Sequence, residues 1–167
     1  VERLLASPQY GERWARHWLD AAGYADSDGY SAEDFARPYA YKYRDYVIRS
    51  LNSNKPIDQF LIEQFAGDEL LQSHPGEYRP EEIELLTATG FLRMGADGTN
   101  SGGVDQDVAR NQVISDTIKI VSTSMLGLSV GCCQCHDHRY DPIPQADYYR
   151  LRAVFEPAYD WKNWRVP

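Results

Sequence analysis

The chain has 167 residues, of which 43% are hydrophobic and 25% are charged, a composition typical of a globular domain with its own core. Its formal net charge of −8 argues against nucleic acid or an anionic membrane surface as a partner, because basic patches drive binding to both. No apolar run approaches the roughly 20 residues that a membrane-spanning helix needs. The three cysteines lie in one short segment, so no disulfide framework is expected to hold the fold together.

Apolar spacing predicts a mainly helical chain. A first amphipathic helix is predicted over 12–24, with Trp14, His17, Trp18 and Ala21 on its apolar face. Proline, glycine and asparagine mark the loops that follow. Three further helices are predicted over 39–51, 56–65 and 81–93.

The fifth predicted helix has the most regular pattern. Its apolar residues recur at steps of four and three, which keeps them on one face. These residues are Ile114, Ile118, Val121, Met125, Leu128 and Cys132. We therefore expect this buried helix to lead directly into the cysteine segment.

A last helix is predicted over 145–155, after Pro142 and Pro144. No internal repeat and no convincing strand pairing is present. The sequence thus predicts an all-α fold and a single domain over 1–167. Because the chain opens inside a helical pattern and without methionine, we expect it to be a piece of a longer multidomain protein.

The segment Cys132–His136 contains the pattern C-x-x-C-H, on which haem c is attached covalently. Two thiols three positions apart can each add to one vinyl group of a haem, and the histidine that follows can bind the iron. Cys132, Cys135 and His136 are therefore the predicted attachment and proximal ligand residues. Cys133 falls in the variable part of the pattern and is expected to be a small packing residue.

Two other uses of this segment stay open. Cys132, Cys135, His136 and His138 could form a compact zinc site, although structural zinc sites normally combine two separated ligand pairs. The C-x-x-C pair could also be a redox dithiol. A dithiol does not need the histidine, and no βαβ pattern surrounds the segment, so haem c is favoured.

The sixth iron ligand must come from an unusual place in the chain. No histidine or methionine follows His138, which excludes the ordinary cytochrome c topology with its downstream methionine. His17, on an aromatic helix face, is the first candidate, and Met94, at a helix end, is the second. Met125 is expected in the core and His74 in solvent.

Polar residues beside the motif are expected to support it. An acidic side chain such as Asp137 or Asp141 could accept the ring N–H of His136 and raise its basicity. His138 is too near the proximal ligand to reach the opposite face of the iron. It is expected to pair with one of these acids or with a haem propionate.

A separate acidic stretch offers oxygen ligands for Ca²⁺ through Asp26 and Asp28, followed by Glu33 and Asp34. It departs from the EF-hand pattern, since the glycine comes too early and position five lacks its acid. A turn that caps a helix explains the same residues. Calcium therefore remains only an alternative.

Several segments together resemble a cytochrome-type domain family known mainly from planctomycetes. The resemblance covers nearly the whole chain. Its segments are Gly11–Asp20, Tyr24–Tyr30, Tyr43–Ile48, Leu51–Pro56, Gln64–Asp68, Ala88–Arg93, Leu126–Cys132 and Cys135–Ile143. The resemblance implies a domain of large exported proteins, often with a more conventional cytochrome c domain upstream, whose function is poorly defined. Cys133 departs from the family, which usually has a small non-thiol residue there.

Electron transfer is the function that these observations favour, with a six-coordinate haem c and either a redox protein or a neighbouring cytochrome domain as partner. A haem enzyme or gas sensor with an open distal site is the first alternative. A structural zinc or dithiol site is the second. Since haem c is attached outside the cytoplasm, a periplasmic or otherwise extracytoplasmic location is expected.

Overall fold

The computed structural model describes residues 1–30, 33–99 and 101–159. These residues form seven α-helices with no strand between them, apart from an isolated antiparallel bridge that joins Ser27 to Ala36. The helices are α1 (Glu2–Leu5), α2 (Gln9–Ala22), α3 (Ala40–Asn52), α4 (Ile57–Ala66), α5 (Pro80–Ala88), α6 (Gln106–Val121) and α7 (Gln145–Phe155). The predicted all-α fold class is confirmed. In the described part of the chain, no helix is long and apolar enough to cross a bilayer.

The helices fall into two compact units. The first unit comprises 1–26 and 37–94 and contains α1 to α5. The second comprises 27–36 and the residues from 95 onward, and contains α6 and α7. One domain over 1–167 stays a prediction.

In the first unit, α2 packs closely on α3 through small residues. A Cβ atom at Gly11 would lie 2.6 Å from the carbonyl oxygen of Ile48, so only glycine permits this approach. Ala15 and Ala22 are buried on the same side, whereas Trp14 is 52% exposed. The prediction of which face of α2 packs against the core was therefore wrong. Close helix packing selects the small residues and turns Trp14, His17 and Ala21 outward, and only Trp18 of the predicted set is half-buried.

Aromatic rings joined by hydrogen bonds fill the core of the first unit. Trp18 Nε1 donates to the Tyr43 hydroxyl at 2.9 Å, and that hydroxyl donates to Gln64 Oε1 at 2.5 Å. Tyr43, Tyr46 and Gln64 are buried. Burial of these polar groups is tolerated because each has a partner.

In the second unit, α6 ends earlier than the sequence predicted. Ile114, Ile118 and Val121 are buried as expected, but α6 ends at Val121 and a single π-helical turn follows over Ser122–Leu126. Hydroxyl groups of three consecutive residues there, Ser122, Thr123 and Ser124, donate to helix carbonyls, an alternative to the regular α-helical bonds. Gly127 then takes a left-handed conformation with φ of 65° and ends the helix.

The cysteine segment therefore does not continue the buried face of α6. It forms a separate 3₁₀ helix, Val130–Gln134, and Cys132 is exposed rather than buried. The regular four-and-three spacing was a false signal beyond Val121, because a run of hydroxyl residues and a glycine interrupts the helix. The last helix was predicted correctly, since α7 spans Gln145–Phe155 after Pro144.

Candidate functional site

The C-x-x-C-H segment presents two of its three thiols to solvent. Cys132 and Cys135 are exposed and Cys133 is buried, and none of the three forms a disulfide. His136 is also exposed. Cys132 lies within the Val130–Gln134 3₁₀ helix, and Cys135 directly follows that helix. The two thiols of the motif and its histidine are thus each accessible to solvent.

Gln134, the second variable residue of the motif, anchors this segment to both helices of its unit. Its Oε1 atom accepts a hydrogen bond from Ser115 of α6 at 2.9 Å. Its carbonyl oxygen accepts bonds from the side chains of Gln145 at 3.1 Å and Tyr149 at 3.0 Å, both on α7. The variable side of the motif is therefore held by protein contacts while the thiol side remains accessible.

The His136 ring has a defined tautomer. Its Nδ1 atom lies 2.7 Å from the carbonyl oxygen of Asp137. Because a carbonyl oxygen only accepts hydrogen bonds, Nδ1 must carry the proton, and Nε2 of the neutral ring keeps its lone pair. This is the arrangement that a metal-binding imidazole needs. The acceptor is the main chain of Asp137, not the acidic side chain that the sequence suggested.

The Asp137 carboxylate has a different partner. Its Oδ1 atom accepts a hydrogen bond from the main-chain N–H of Gln145 at 2.7 Å, the first residue of α7. Pro144 precedes that residue and has no capping side chain, so Asp137 supplies the cap from elsewhere in the chain. Asp137 thus joins the motif to the start of α7.

Replacing Asp137 with alanine is expected to destabilise the protein by about 1 kcal/mol, the typical effect of losing a side-chain helix cap. Urea denaturation followed by circular dichroism measures this change. Asp107→Ala is the matched control, because Asp107 is an exposed acid in the first turn of α6, whose cap is Asp105. Equal losses for the two variants would contradict the capping role.

His138 fastens the turn that follows the motif. Its Nδ1 atom accepts the main-chain N–H groups of Tyr140 at 3.3 Å and Asp141 at 2.9 Å. Nε2 is 2.9 Å from the Ser129 hydroxyl and therefore donates to it in this tautomer. The Asp141 carboxylate lies 3.2 Å from Nδ1, so the predicted pairing of these side chains is present as a contact. Because Nδ1 accepts these two N–H groups, its contact with the Asp141 carboxylate is not a hydrogen bond.

Cys133 packs beneath this turn, as the sequence predicted for a small packing residue. It is 0% exposed, and its Sγ atom lies 3.4 Å from the carbonyl oxygen of Ile143. Burial raises the pKa of the Cys133 thiol, and the neighbouring Cys132 contributes in the same direction. The buried thiol is thus held in its protonated form.

The two candidate distal ligands have different surroundings, both within the first unit. The His17 imidazole is exposed, with its ring centroid 5.3 Å from that of Trp14. Met94 is only 6% exposed and belongs to the core of its unit. Met125, predicted to be in the core, is half-buried, and His74 is exposed as expected.

The alternative metal sites are not assembled in the described residues, which contain no group of three or more His, Cys, Asp or Glu side chains placed to hold a metal ion. In the predicted calcium stretch, protein donors engage the carboxylates. Asp34 accepts bonds from the Ser27 hydroxyl and the Gly29 N–H group, and Glu33 accepts one from Ser101.

Asp26 accepts a hydrogen bond from Tyr24 at 2.6 Å. Burial, together with this bond to the carboxylate, raises the pKa of Tyr24 to about 12. Asp28, the second predicted calcium ligand, is buried and bonds through its main chain to Phe35 and Asp97. The contacts of this stretch are those of a structured loop.

Comparison with protein families identifies the chain at the level of its family. A model of the PSCyt2 family, described as a protein of unknown function (DUF1549), matches residues 1–160. The chain belongs to this family. The PSCyt2 match extends over both units and includes the C-x-x-C-H segment, and it agrees with the family resemblance seen in the sequence. No curated protein and no solved structure matches the chain.

The sequence did not reveal which residues support the motif in this PSCyt2 chain. Gln134, Ser129 and Ile143 carry the contacts that orient the segment. A weak signal exists, because Pro142 and Pro144 favour a tight turn directly after the motif. The partners across that turn cannot be read from spacing alone.

Proposed function

We propose that this chain is a haem c domain that transfers single electrons, with the haem held by Cys132, Cys135 and His136. The observation that carries this proposal is the His136 ring, whose Nδ1–H group is bonded to the Asp137 carbonyl oxygen at 2.7 Å. Its Nε2 lone pair is left for iron, beside two exposed free thiols at C-x-x-C spacing. The residues present therefore fit a covalent haem.

The chemistry of the donor set favours haem over the alternatives. A redox dithiol gives no role to a histidine with a free Nε2 atom. A structural zinc ion needs four ligands, and no cluster of even three is placed for a metal ion in the described part of the chain. Haem c needs one protein nitrogen and two thiols on its attachment side, and this segment offers that set.

Each residue has a defined task in this proposal. Bound haem supplies a one-electron Fe³⁺/Fe²⁺ couple. His136 offers Nε2 as the proximal ligand, and the Asp137 carbonyl fixes its tautomer and orientation. Gln134 keeps the segment attached to α6 and α7, which limits rearrangement of the site when its charge changes by one.

The distal ligand is the part of the proposal with two candidates. His17 is exposed, so its imidazole can bind a ligand without unfolding its helix. The Met94 sulfur belongs to a buried side chain, and it could bind iron only if the core around it rearranged. We therefore propose His17 ahead of Met94.

The net charge of −8 suits docking to a basic redox partner, because complementary charge accelerates encounter. A neighbouring cytochrome domain of the same parent protein is the other proposed partner. Because haem c is attached outside the cytoplasm, we propose that this domain acts in the periplasm or another extracytoplasmic compartment.

Optical spectroscopy tests the proposal directly. The 167-residue chain, exported in cells competent for haem c attachment, is expected to retain haem after denaturation and to give a c-type pyridine haemochrome. Sharp reduced α and β bands would indicate low-spin, six-coordinate iron and support electron transfer. Broad high-spin bands would favour the enzyme or sensor alternative, and absence of covalent haem would contradict the haem proposal.

The same spectra distinguish the distal candidates. His17→Ala is expected to convert the low-spin spectrum to a high-spin one, while Met94→Leu, which preserves volume in the core, leaves it unchanged. His74→Ala is the control, since His74 is an exposed histidine of the same unit. The reverse pattern would assign Met94 instead.

A further inference from the structure

Three thiols within four positions create a problem of selection. Cys132 and Cys135 have the spacing of the motif, but Cys133 is adjacent to one of them. An unprotected third thiol would compete for the same electrophile. The described residues show how the second unit can prevent this competition.

The turn over 138–143 covers Cys133. The main-chain N–H of His138 donates to the carbonyl oxygen of Ile143 at 2.9 Å. The main-chain N–H of Ile143 donates in turn to the carbonyl oxygen of Asp141 at 2.8 Å. The Cys133 thiol lies 3.4 Å from the same Ile143 oxygen. The Ile143 carbonyl oxygen, which closes the turn, therefore also accepts the contact from the buried Cys133 thiol.

The His138 side chain is the part of this turn that links it to the preceding loop. Its imidazole accepts hydrogen bonds from two main-chain N–H groups of the turn. It also forms a hydrogen bond with the hydroxyl of Ser129, the residue just before the 3₁₀ helix. The side chain is only 6% exposed. It thus connects the chain on both sides of Cys133 and resists separation of the turn from the motif.

We propose that His138 is a positioning residue that keeps Cys133 covered, so that electrophilic carbon–carbon double bonds react with Cys132 and Cys135 alone. The application of this selection to haem attachment rests on the proposed function. In attachment, each thiol S–H adds across one vinyl group, so that sulfur bonds to one carbon and the hydrogen goes to the other. The S–H bond and the π bond of the vinyl group break, one C–S bond and one C–H bond form, and the addition involves no net gain or loss of electrons and no further reactant.

N-ethylmaleimide is a suitable probe, because a thiol adds across its double bond in the same sense. The haem-free 167-residue chain is labelled in native buffer, and peptide mass spectrometry gives the rate at each cysteine. Cys132 and Cys135 are expected to react first. The labelling rate at Cys133 is expected to be lower by a factor of about 100 or more, because this thiol reacts only after local opening of the turn. Similar rates at all three thiols would overturn the proposal.

Substitutions at His138 test its role. His138→Ala is expected to raise the Cys133 rate about tenfold through loss of the hydrogen bonds, whereas His138→Asn keeps an acceptor near the Nδ1 position and preserves most of the protection. His74→Ala controls for removal of a histidine. If His138→Ala fails to unfold cooperatively, Ser129→Ala is used instead and is expected to raise the rate severalfold. Unchanged protection in the folded variants would overturn the role of His138.

Mapping of the haem-loaded chain separates this inference from the proposed function. Haem on the Cys132 and Cys135 peptides supports both, and haem on Cys133 contradicts the selection. If no haem attaches while the labelling pattern persists, the proposed function fails and the protection of Cys133 by His138 stands.

Discussion

A Cys132→Ala/Cys135→Ala variant is expected to carry no covalent haem, so that the pyridine haemochrome of the denatured protein falls from one equivalent per chain to none. Both thioether bonds require a thiol, and the only other cysteine is buried beneath the turn that His138 fastens. Haem staining after denaturing electrophoresis, with the absorbance of the haemochrome, measures the loss.

Cys133→Ala is the matched control, because it removes a thiol from the same segment and leaves the spacing of the other two intact. It is expected to keep the full haem content. Each single variant at Cys132 or Cys135 should retain at most one thioether, seen as a shift of the haemochrome α band to longer wavelength. Haem retention in the double variant, or its loss in Cys133→Ala, would contradict the assignment of the attachment residues.

Local signals made several helices predictable. Pro144 followed by an amphipathic run gave α7 its observed bounds, and Pro56 similarly placed the start of α4 within one residue. Both helices begin next to a residue whose fixed φ angle is compatible with a first turn. When the determinant of a boundary lies within the helix or beside it, the sequence contains that determinant.

The errors arose where tertiary contacts decide. The exposed face of α2 was misassigned because apolar residues stand on both sides of that helix, and only the close approach at Gly11 shows which side meets α3. The extension of α6 was overestimated because apolar spacing does not register competition by Ser122, Thr123 and Ser124 for helix carbonyls. Each error is a local preference overruled by packing or by side-chain hydrogen bonds.

At the candidate site, the sequence predicts which groups react, and that prediction remains to be tested, whereas the residues that support them came only from the structure. A fixed chemistry demands C-x-x-C-H at adjacent positions, so the spacing itself contains the information. The anchoring of Gln134 by Ser115, 19 residues earlier, leaves no such pattern. The exposure of Cys132, which was predicted to lie on a buried helix face, came likewise only from the structure.

A partly buried ion pair in the first unit was also absent from the sequence analysis. Lys55 pairs with Glu63, whose side chain is 3% exposed. Tyr46 and Gln59 each donate to the same carboxylate at 2.8 Å, and the Lys55 ammonium lies 4.7 Å from the centroid of the Tyr46 ring. The pair connects the loop before α4 to α4 itself and to α3.

Lys55→Ala is expected to destabilise the protein by about 3 kcal/mol, because it leaves a carboxylate buried without its cation. Urea denaturation at pH 7 measures the change in the free energy of unfolding. Lys42→Ala is the control. Lys42 is exposed, and like Lys55 its ammonium lies over a tyrosine ring, 4.8 Å from the Tyr39 centroid. That variant is expected to change stability by about 0.5 kcal/mol or less.

The pH dependence of this loss identifies its cause. Burial by itself raises the pKa of Glu63, but hydrogen bonds from Lys55, Tyr46 and Gln59 outweigh it and hold the pKa below the ordinary value. The ionised carboxylate therefore stabilises the wild-type protein above its unfolded pKa of about 4.3, and this contribution is lost as pH falls through the lowered folded pKa.

In Lys55→Ala, removal of the cation lets burial act with less opposition, so the pKa of Glu63 rises. The stability difference from wild type should consequently be largest near neutral pH and shrink as the pH is lowered through about 4, where protonation removes the unpaired charge. In a Glu63→Gln background, Lys55→Ala should change the free energy of unfolding by an amount independent of pH, because the carboxylate whose titration causes the trend is absent. A loss that is independent of pH would instead assign the effect of Lys55 to packing of its aliphatic stem against Tyr46.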